Sequence, residues 1–156
     1  MYAGKIVAAP DRQHPRGLYD VGLLLANEGI EAGLRQAFIV YLVSHNRPMA
    51  EVLAPAHFDI EPEFNHGFEG MTETPVQLDD LLRTREALIT KIVGDMPPEH
   101  RRFLISFKCG NPDWDLLGVS GVENLPAVRR RLENLPKLSP ERRSALLAKL
   151  KQALDM

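Results

Sequence analysis

Apolar residues recur at every third or fourth position through most of this 156-residue chain. The clearest case is the segment EAGLRQAFIVYLVS, which is apolar on a broad face and is therefore expected at the centre of the core. This spacing is typical of α-helices, and no segment shows the sustained alternation of a β-strand. The pattern predicts an all-α fold: an irregular bundle of about six helices with one long loop, in a single domain over 1–156.

Proline and glycine indicate where the predicted helices begin and end. Pro10 is expected to stop the first helix, because proline lacks an N–H group and disfavours helical geometry at the preceding residue. Pro15 suits a first helical turn, Gly29 a left-handed stop, and Ser139 followed by Pro140 a capped start. The predicted helices cover about 2–9, 16–27, 31–44, 78–94, 99–108, 125–135 and 140–154.

Two segments are predicted to be irregular. Residues at about 54–74 contain several prolines and glycines, and we expect a long loop held on the core by Phe58, Phe64 and Phe68. Asp113-Trp114-Asp115 follows Asn-Pro, so we expect a turn with a packed tryptophan and not a metal site.

Composition restricts the possible classes of protein. Cys109 is the only cysteine, so neither an intrachain disulfide nor a cysteine zinc site can form, and we expect it near a helix end. No apolar run is as long as a membrane span and the first ten residues lack the features of a secretory signal, which predicts a cytoplasmic protein without a membrane partner.

The histidines do not predict a metal site. His57 and His66 are too far apart for a helical pair, so we expect no zinc there. His14 and His45 are expected in a loop and at a helix end, and His100 on the surface of a first helical turn.

The net charge of −2 hides an uneven distribution, because acids dominate from about 51 to 95 and bases dominate from position 129 onward. The basic tail suits contact with phosphates, but the same residues are also typical of solvated helix faces. The sequence leaves both interpretations open.

Arg16, Tyr19 and Asp20 lie close together at the start of the second predicted helix. Arg16 and Asp20 are four positions apart and therefore share a helix face. Lys5 lies on the preceding helix, which a short loop should fold back alongside. Converging Lys and Arg suit polyphosphate oxygens and an Asp can hold a divalent cation, although an ordinary surface ion pair has the same spacing.

Several segments resemble the AbiEii/AbiGii-type nucleotidyltransferase toxins of type IV toxin–antitoxin systems. They are YAGKIVAAPDRQHPRGLYDVGLLLANEGI, AFIVYLVSHNRPMAEVL, FEGMTETPV and FLISFKCGNPDWDLLGV. The resemblance continues through the final predicted helix, so it is expected to cover nearly the whole chain. The resemblance implies magnesium-dependent transfer of a nucleotidyl group from a nucleoside triphosphate to an acceptor, which is tRNA in some members. It implies nucleotide binding by Lys5 and Arg16, a catalytic role for Asp20, and an antitoxin partner.

The chain also departs from the family pattern. Family members carry a Gly-Ser turn and an Asp-x-Asp strand upstream, and nothing here precedes Met1. Gly17 also stands where the family usually has an acid. The resemblance therefore implies a C-terminal half that is inactive alone, whether as a truncated remnant, a split-gene product or a subunit completed in trans by an N-terminal half.

Two further expectations follow from these departures. Loss of an N-terminal half would leave apolar helix faces uncovered, which predicts a homo-oligomer. The alternative to an enzyme is a helical interaction module that is regulatory, antitoxin-like or RNA-binding.

Overall fold

The structure, a computed structural model, describes residues 2–68, 70–72 and 75–156, with only the backbone at 2, 3 and 11. Every regular element within these residues is helical, so the predicted all-α class is confirmed. Nine α-helices occur there, somewhat more than the six or so expected from the sequence. They are α1 (Tyr2–Arg12), α2 (Pro15–Asn27), α3 (Ala32–Ser44), α4 (Met49–Leu53), α5 (Glu61–Glu63), α6 (Leu78–Ile89), α7 (Pro98–Lys108), α8 (Pro126–Asn134) and α9 (Pro140–Ala153).

Helix α3 lies at the centre of the core, as its sequence predicts. It packs against α1, α4, α7 and α8, and its Phe38, Ile39, Leu42 and Val43 are buried. Helix α2 packs against α1 and α6, and α1 also contacts α6. A Cβ atom at Gly22 would lie 3.1 Å from Thr84 Oγ1, so the glycine allows α2 and α6 to approach closely.

The predicted starts and stops of most helices are confirmed. His14 caps α2, where its Nδ1 accepts a hydrogen bond from Arg16 N, and Pro15 occupies the first position. Gly29 adopts φ 72 after the last turn, and Ser139 Oγ accepts from Arg142 N at the start of α9. Trp114 lies in a turn and packs 5.4 Å from the Phe103 ring, measured between centroids.

The long predicted loop contains more structure than expected. Helix α5 and a π-helical turn, Phe64–Phe68, interrupt it, and positions 69, 73 and 74 lie outside the described residues. Phe64 and Phe68 are buried as predicted, with centroids 5.8 Å apart. The prediction for Phe58 was wrong, because its side chain is 48% exposed.

The prediction that Pro10 ends the first helix was also wrong. Helix α1 continues through Pro10 to Arg12, although a proline inside a helix removes one backbone hydrogen bond and costs about 3 kcal/mol. Ile6, Val7 and Ala9 are almost completely buried, and Gln13 N donates to Ala9 O at 2.9 Å. The packing of this helix in the core therefore outweighs the tendency of Pro10 to end it.

The helix ends just before Gln13, whose side chain forms a buried polar cluster. Gln13 has φ 50 and is 1% exposed. Its Nε2 donates to Ala56 O at 2.5 Å, and its Oε1 accepts from Phe58 N at 2.8 Å and from Arg85 Nη1 at 3.0 Å. Arg85 Nη1 also donates to Phe58 O at 2.9 Å. This Gln13 cluster joins the α1–α2 turn to the loop and to α6.

His100 also departs from prediction. It was expected on the surface, but it is 8% exposed, and its Nδ1 has no hydrogen-bond partner among the described residues. Burial lowers the pKa of His100, the nearby positive charge of Arg35 lowers it further, and Glu99 opposes the effect.

Replacing Gln13 with Ala should lower the free energy of unfolding by about 2–4 kcal/mol, because Phe58 N and the buried Arg85 guanidinium would lose an acceptor. Denaturant unfolding measures this change. Gln152→Ala, at an exposed position on α9, is the matched control and should change stability by less than about 0.5 kcal/mol. Equal effects of the two substitutions would contradict a structural role for the Gln13 cluster.

The buried His100 should make the fold sensitive to acid. Because the folded pKa is lowered, the unfolded chain, whose histidine has a pKa near 6.5, takes up the proton at a higher pH than the folded chain does, and stability falls as the pH decreases through about 6.5. His100→Gln should reduce this loss of stability as the pH falls below about 6.5. The measurement is thermal unfolding against pH, with His66→Gln, an exposed histidine, as the control.

Candidate functional site

An open pocket of about 430 Å³ lies where α1 and α2 meet. The end of α1 forms one wall and the first turns of α2 form the other. Its lining residues are Lys5, Ala8, Ala9, Arg12, His14, Arg16, Gly17 and Asp20. All three site residues predicted from the sequence, Lys5, Arg16 and Asp20, therefore line one pocket.

Lys5 and Asp20 are in direct contact. Lys5 Nζ donates to Asp20 Oδ2 at 3.2 Å, with the two side chains 47% and 36% exposed. The pair thus joins α1 to α2, as expected if the short loop folds the first helix back alongside the second. A pair this exposed contributes at most about 1 kcal/mol to stability, so both side chains can change partners when a charged ligand binds.

Arg16 lies in the same pocket but does not pair with Asp20. Although the two residues are four apart on α2, Asp20 is bound by Lys5, and no described residue forms an ion pair with the exposed Arg16 guanidinium. Arg16 is consequently available to an anion in the pocket.

Arg12 also lines the pocket, and sequence reasoning missed it. It lies on the face of α1 that carries Lys5, because the two residues are seven positions apart and the helix continues through Pro10. The seven-residue spacing between Lys5 and Arg12 could have indicated this from the sequence. It was not used, because Pro10 was expected to end the helix before Arg12. The pocket therefore contains three cationic side chains and one histidine around one carboxylate.

These groups fit a triphosphate better than they fit a free metal ion. Lys and Arg side chains are the usual donors to phosphate oxygens. A hard divalent cation takes about six oxygen ligands, and Asp20 is the one carboxylate that lines the pocket among the described residues. The described residues also contain no group of three or more side chains suited to a metal.

The other candidate residues lie outside this pocket. Tyr19 does not line it, and its ring packs on Phe68 with centroids 5.7 Å apart. His57 Nε2 lies 3.0 Å from Glu86 Oε1, and His66 Nδ1 lies 2.7 Å from Pro62 O. Cys109 is exposed at the end of α7, as predicted.

Comparison with known families adds a functional class to this geometry. The family model for the nucleotidyl transferase AbiEii toxin of the type IV toxin–antitoxin system matches residues 1–134. The chain belongs to the AbiEii nucleotidyltransferase toxin family. No curated protein and no solved structure matched the chain.

Membership of the AbiEii family confirms the resemblance drawn from the sequence and indicates a nucleotidyltransferase-like toxin. The match includes the whole pocket between α1 and α2, while α9 lies beyond it. In the part of the chain that the structure describes, no helix combines the length and the apolar character needed to cross a membrane.

Proposed function

We propose that this chain binds the triphosphate of a nucleoside triphosphate in the pocket between α1 and α2 and contributes Asp20 to nucleotidyl transfer. The observation that supports this most strongly is that Lys5, Arg12, Arg16 and Asp20 line one pocket in a chain of the AbiEii family.

Each side chain has a separate role in this proposal. In nucleotidyl transfer, a hydroxyl of the acceptor attacks the α-phosphorus and pyrophosphate leaves. Lys5, Arg12 and Arg16 bind oxygens of the triphosphate and neutralise the charge of the departing pyrophosphate. Asp20 orients Lys5 in the free protein through the 3.2 Å contact and faces the reacting phosphate when ligand is bound.

Magnesium would neutralise phosphate oxygens when it is bound with the nucleotide. Asp20 supplies one oxygen ligand, and sites for this chemistry normally use several carboxylates. The 156 residues contain no Gly-Ser turn followed by an Asp-x-Asp strand. We therefore propose that the remaining carboxylates come from outside these residues and that this segment does not catalyse transfer by itself.

Exposed apolar side chains beside the pocket are consistent with a partner that covers it. Leu23 is 47% exposed and lines a shallow groove with Lys5 and Asp20. Tyr41 is 49% exposed, and its ring lies over Gly4 on α1. The partner we propose is the complementary catalytic half, a second copy of the chain or an antitoxin; tRNA is the acceptor to test first.

Nucleotide binding is tested by thermal unfolding with magnesium and each of the four nucleoside triphosphates. At one hundred times the Kd, binding adds about 2.7 kcal/mol, which corresponds to a rise of several degrees in Tm. Lys5→Ala should abolish the rise and should lower the Tm of the free protein by at most a few degrees, because the exposed Lys5–Asp20 pair contributes little to stability. Lys151→Ala, at an exposed lysine on α9, is the matched control and should retain the rise.

The absence of a shift with every nucleotide, or a shift that Lys5→Ala leaves intact, would refute this site. The first result would favour the alternative function, a non-enzymatic helical interaction module.

The proposal of a covering partner predicts self-association of the isolated chain. Light scattering should show a dimer or a larger species, and Leu23→Glu should shift it toward monomer because a charge would then lie on the apolar surface. Leu125→Glu, at an exposed leucine just before α8, is the control. A wild-type monomer at high concentration would contradict self-association.

A further inference from the structure

A second pocket lies between the C-terminal ends of α3 and α7 and one face of α8. Its volume is about 260 Å³, and it shares no lining residue with the pocket at Lys5 and Asp20. Lys108, Arg130 and Arg131 line it, together with polar and apolar side chains. None of its lining residues in the described chain is an aspartate or a glutamate.

Arg131 is held in a fixed position by backbone carbonyls. Its Nη1 donates to Leu42 O at 2.8 Å and to His45 O at 2.6 Å, and its Nη2 donates to Arg47 O at 3.0 Å. Burial lowers the pKa of Arg131 to about 10, so the guanidinium remains positive at pH 7. It offsets the partial negative charge at the C-terminal end of α3 and also places a fixed positive charge beside the pocket.

Lys108 has no such structural role. It is the last residue of α7, where backbone N–H groups already bond the terminal carbonyls: Cys109 N donates to Ile105 O at 3.0 Å and Gly110 N donates to Phe107 O at 3.0 Å. The half-buried Lys108 ammonium forms no hydrogen bond or ion pair with any described residue. Its charge is therefore not needed to end the helix.

The surroundings of Lys108 are unfavourable for a cation. Burial lowers the pKa of Lys108, and the positive charges of Arg131 and Arg142 lower it further. The helix ends that meet at the pocket carry only about half a negative charge each, which is less than the combined charge of Lys108, Arg130 and Arg131. A bound anion would remove this imbalance.

The size of the pocket restricts the anion. Pockets for drug-sized ligands have volumes of about 300–1,000 Å³, so 260 Å³ suits a small group better than a whole nucleotide. Phosphate is small, carries up to two negative charges and accepts hydrogen bonds from Lys and Arg.

We propose that this pocket binds a phosphate group, with Lys108 and Arg130 donating to its oxygens beside the fixed charge of Arg131. The phosphate comes either from a free ion such as pyrophosphate or from the backbone of an RNA strand. The proposal does not rest on nucleotide binding between α1 and α2, because the two pockets are formed by different residues.

The test is made in the full chain carrying Lys5→Ala, which removes one of the three cations of the first pocket and so weakens phosphate binding there. Pyrophosphate binding is measured by titration calorimetry, and adding Lys108→Gln should weaken it by about tenfold or more, because a charge-assisted hydrogen bond is lost. Lys151→Gln is the matched control at an exposed lysine and should leave the affinity unchanged. Lys108→Gln should change the Tm little, since no hydrogen bond or ion pair with the described residues is lost.

A second arm distinguishes the two sources of phosphate. A labelled single-stranded oligoribonucleotide is titrated into the same variants at several salt concentrations. If the phosphate belongs to RNA, Lys108→Gln weakens binding and reduces the salt slope by about 0.7; if it is a free ion, only pyrophosphate responds to the substitution. The proposal is overturned if neither probe binds the Lys5→Ala protein, or if Lys108→Gln binds both as tightly as its parent.

Discussion

The position of the candidate site depends on the buried hydrogen bonds of Gln13. Its amide bonds the loop at Ala56 and Phe58 and accepts from Arg85 on α6. These contacts hold the turn between α1 and α2 in place, at a residue with φ 50 that local preference alone disfavours. Because the turn is fixed, Lys5 on the first helix reaches Asp20 on the second at 3.2 Å. The chemistry of an exposed pocket thus relies on a buried, neutral side chain behind it.

Buried and partly buried arginines stabilise other junctions in a similar way. Arg35 donates to Lys91 O at 2.9 Å and to Ile92 O at 3.0 Å in the π-helical turn Thr90–Gly94. Arg101 bonds the carbonyls of Val93 and Leu154. Together with Arg131 at the end of α3, these side chains donate to backbone carbonyls at or near helix ends. Part of the positive charge in this chain therefore stabilises helix ends, and the charge available for ligands is smaller than composition suggests.

The two pockets differ from the rest of the basic surface because they contain cations that have no structural partner among the described residues. In the sequence, the bases after position 129 look alike, as solvated or phosphate-binding residues. In the structure, Arg131 is bound to three carbonyls, whereas Lys108, from a different helix, lies beside it with no bonded partner in the described chain. The same distinction holds at the first pocket, where Asp20 pairs with Lys5 and leaves Arg16 available.

The sequence by itself determined the helical class, most helix limits, the central position of α3 and the shared helix face of Arg16 and Asp20, because these depend on local periodicity and on spacing along one helix. The contact of Lys5 with Asp20 was expected from the short loop, but it depends on the turn that Gln13 fixes. Its segments also indicated the AbiEii family, which the family match confirms. Only the tertiary structure decided that α1 passes through Pro10, that Arg12 joins the pocket, and that His100 is buried while Phe58 is exposed. Those outcomes depend on contacts between residues far apart in the chain. The free energy of packing from such contacts exceeds the few kcal/mol by which a single residue favours one local conformation.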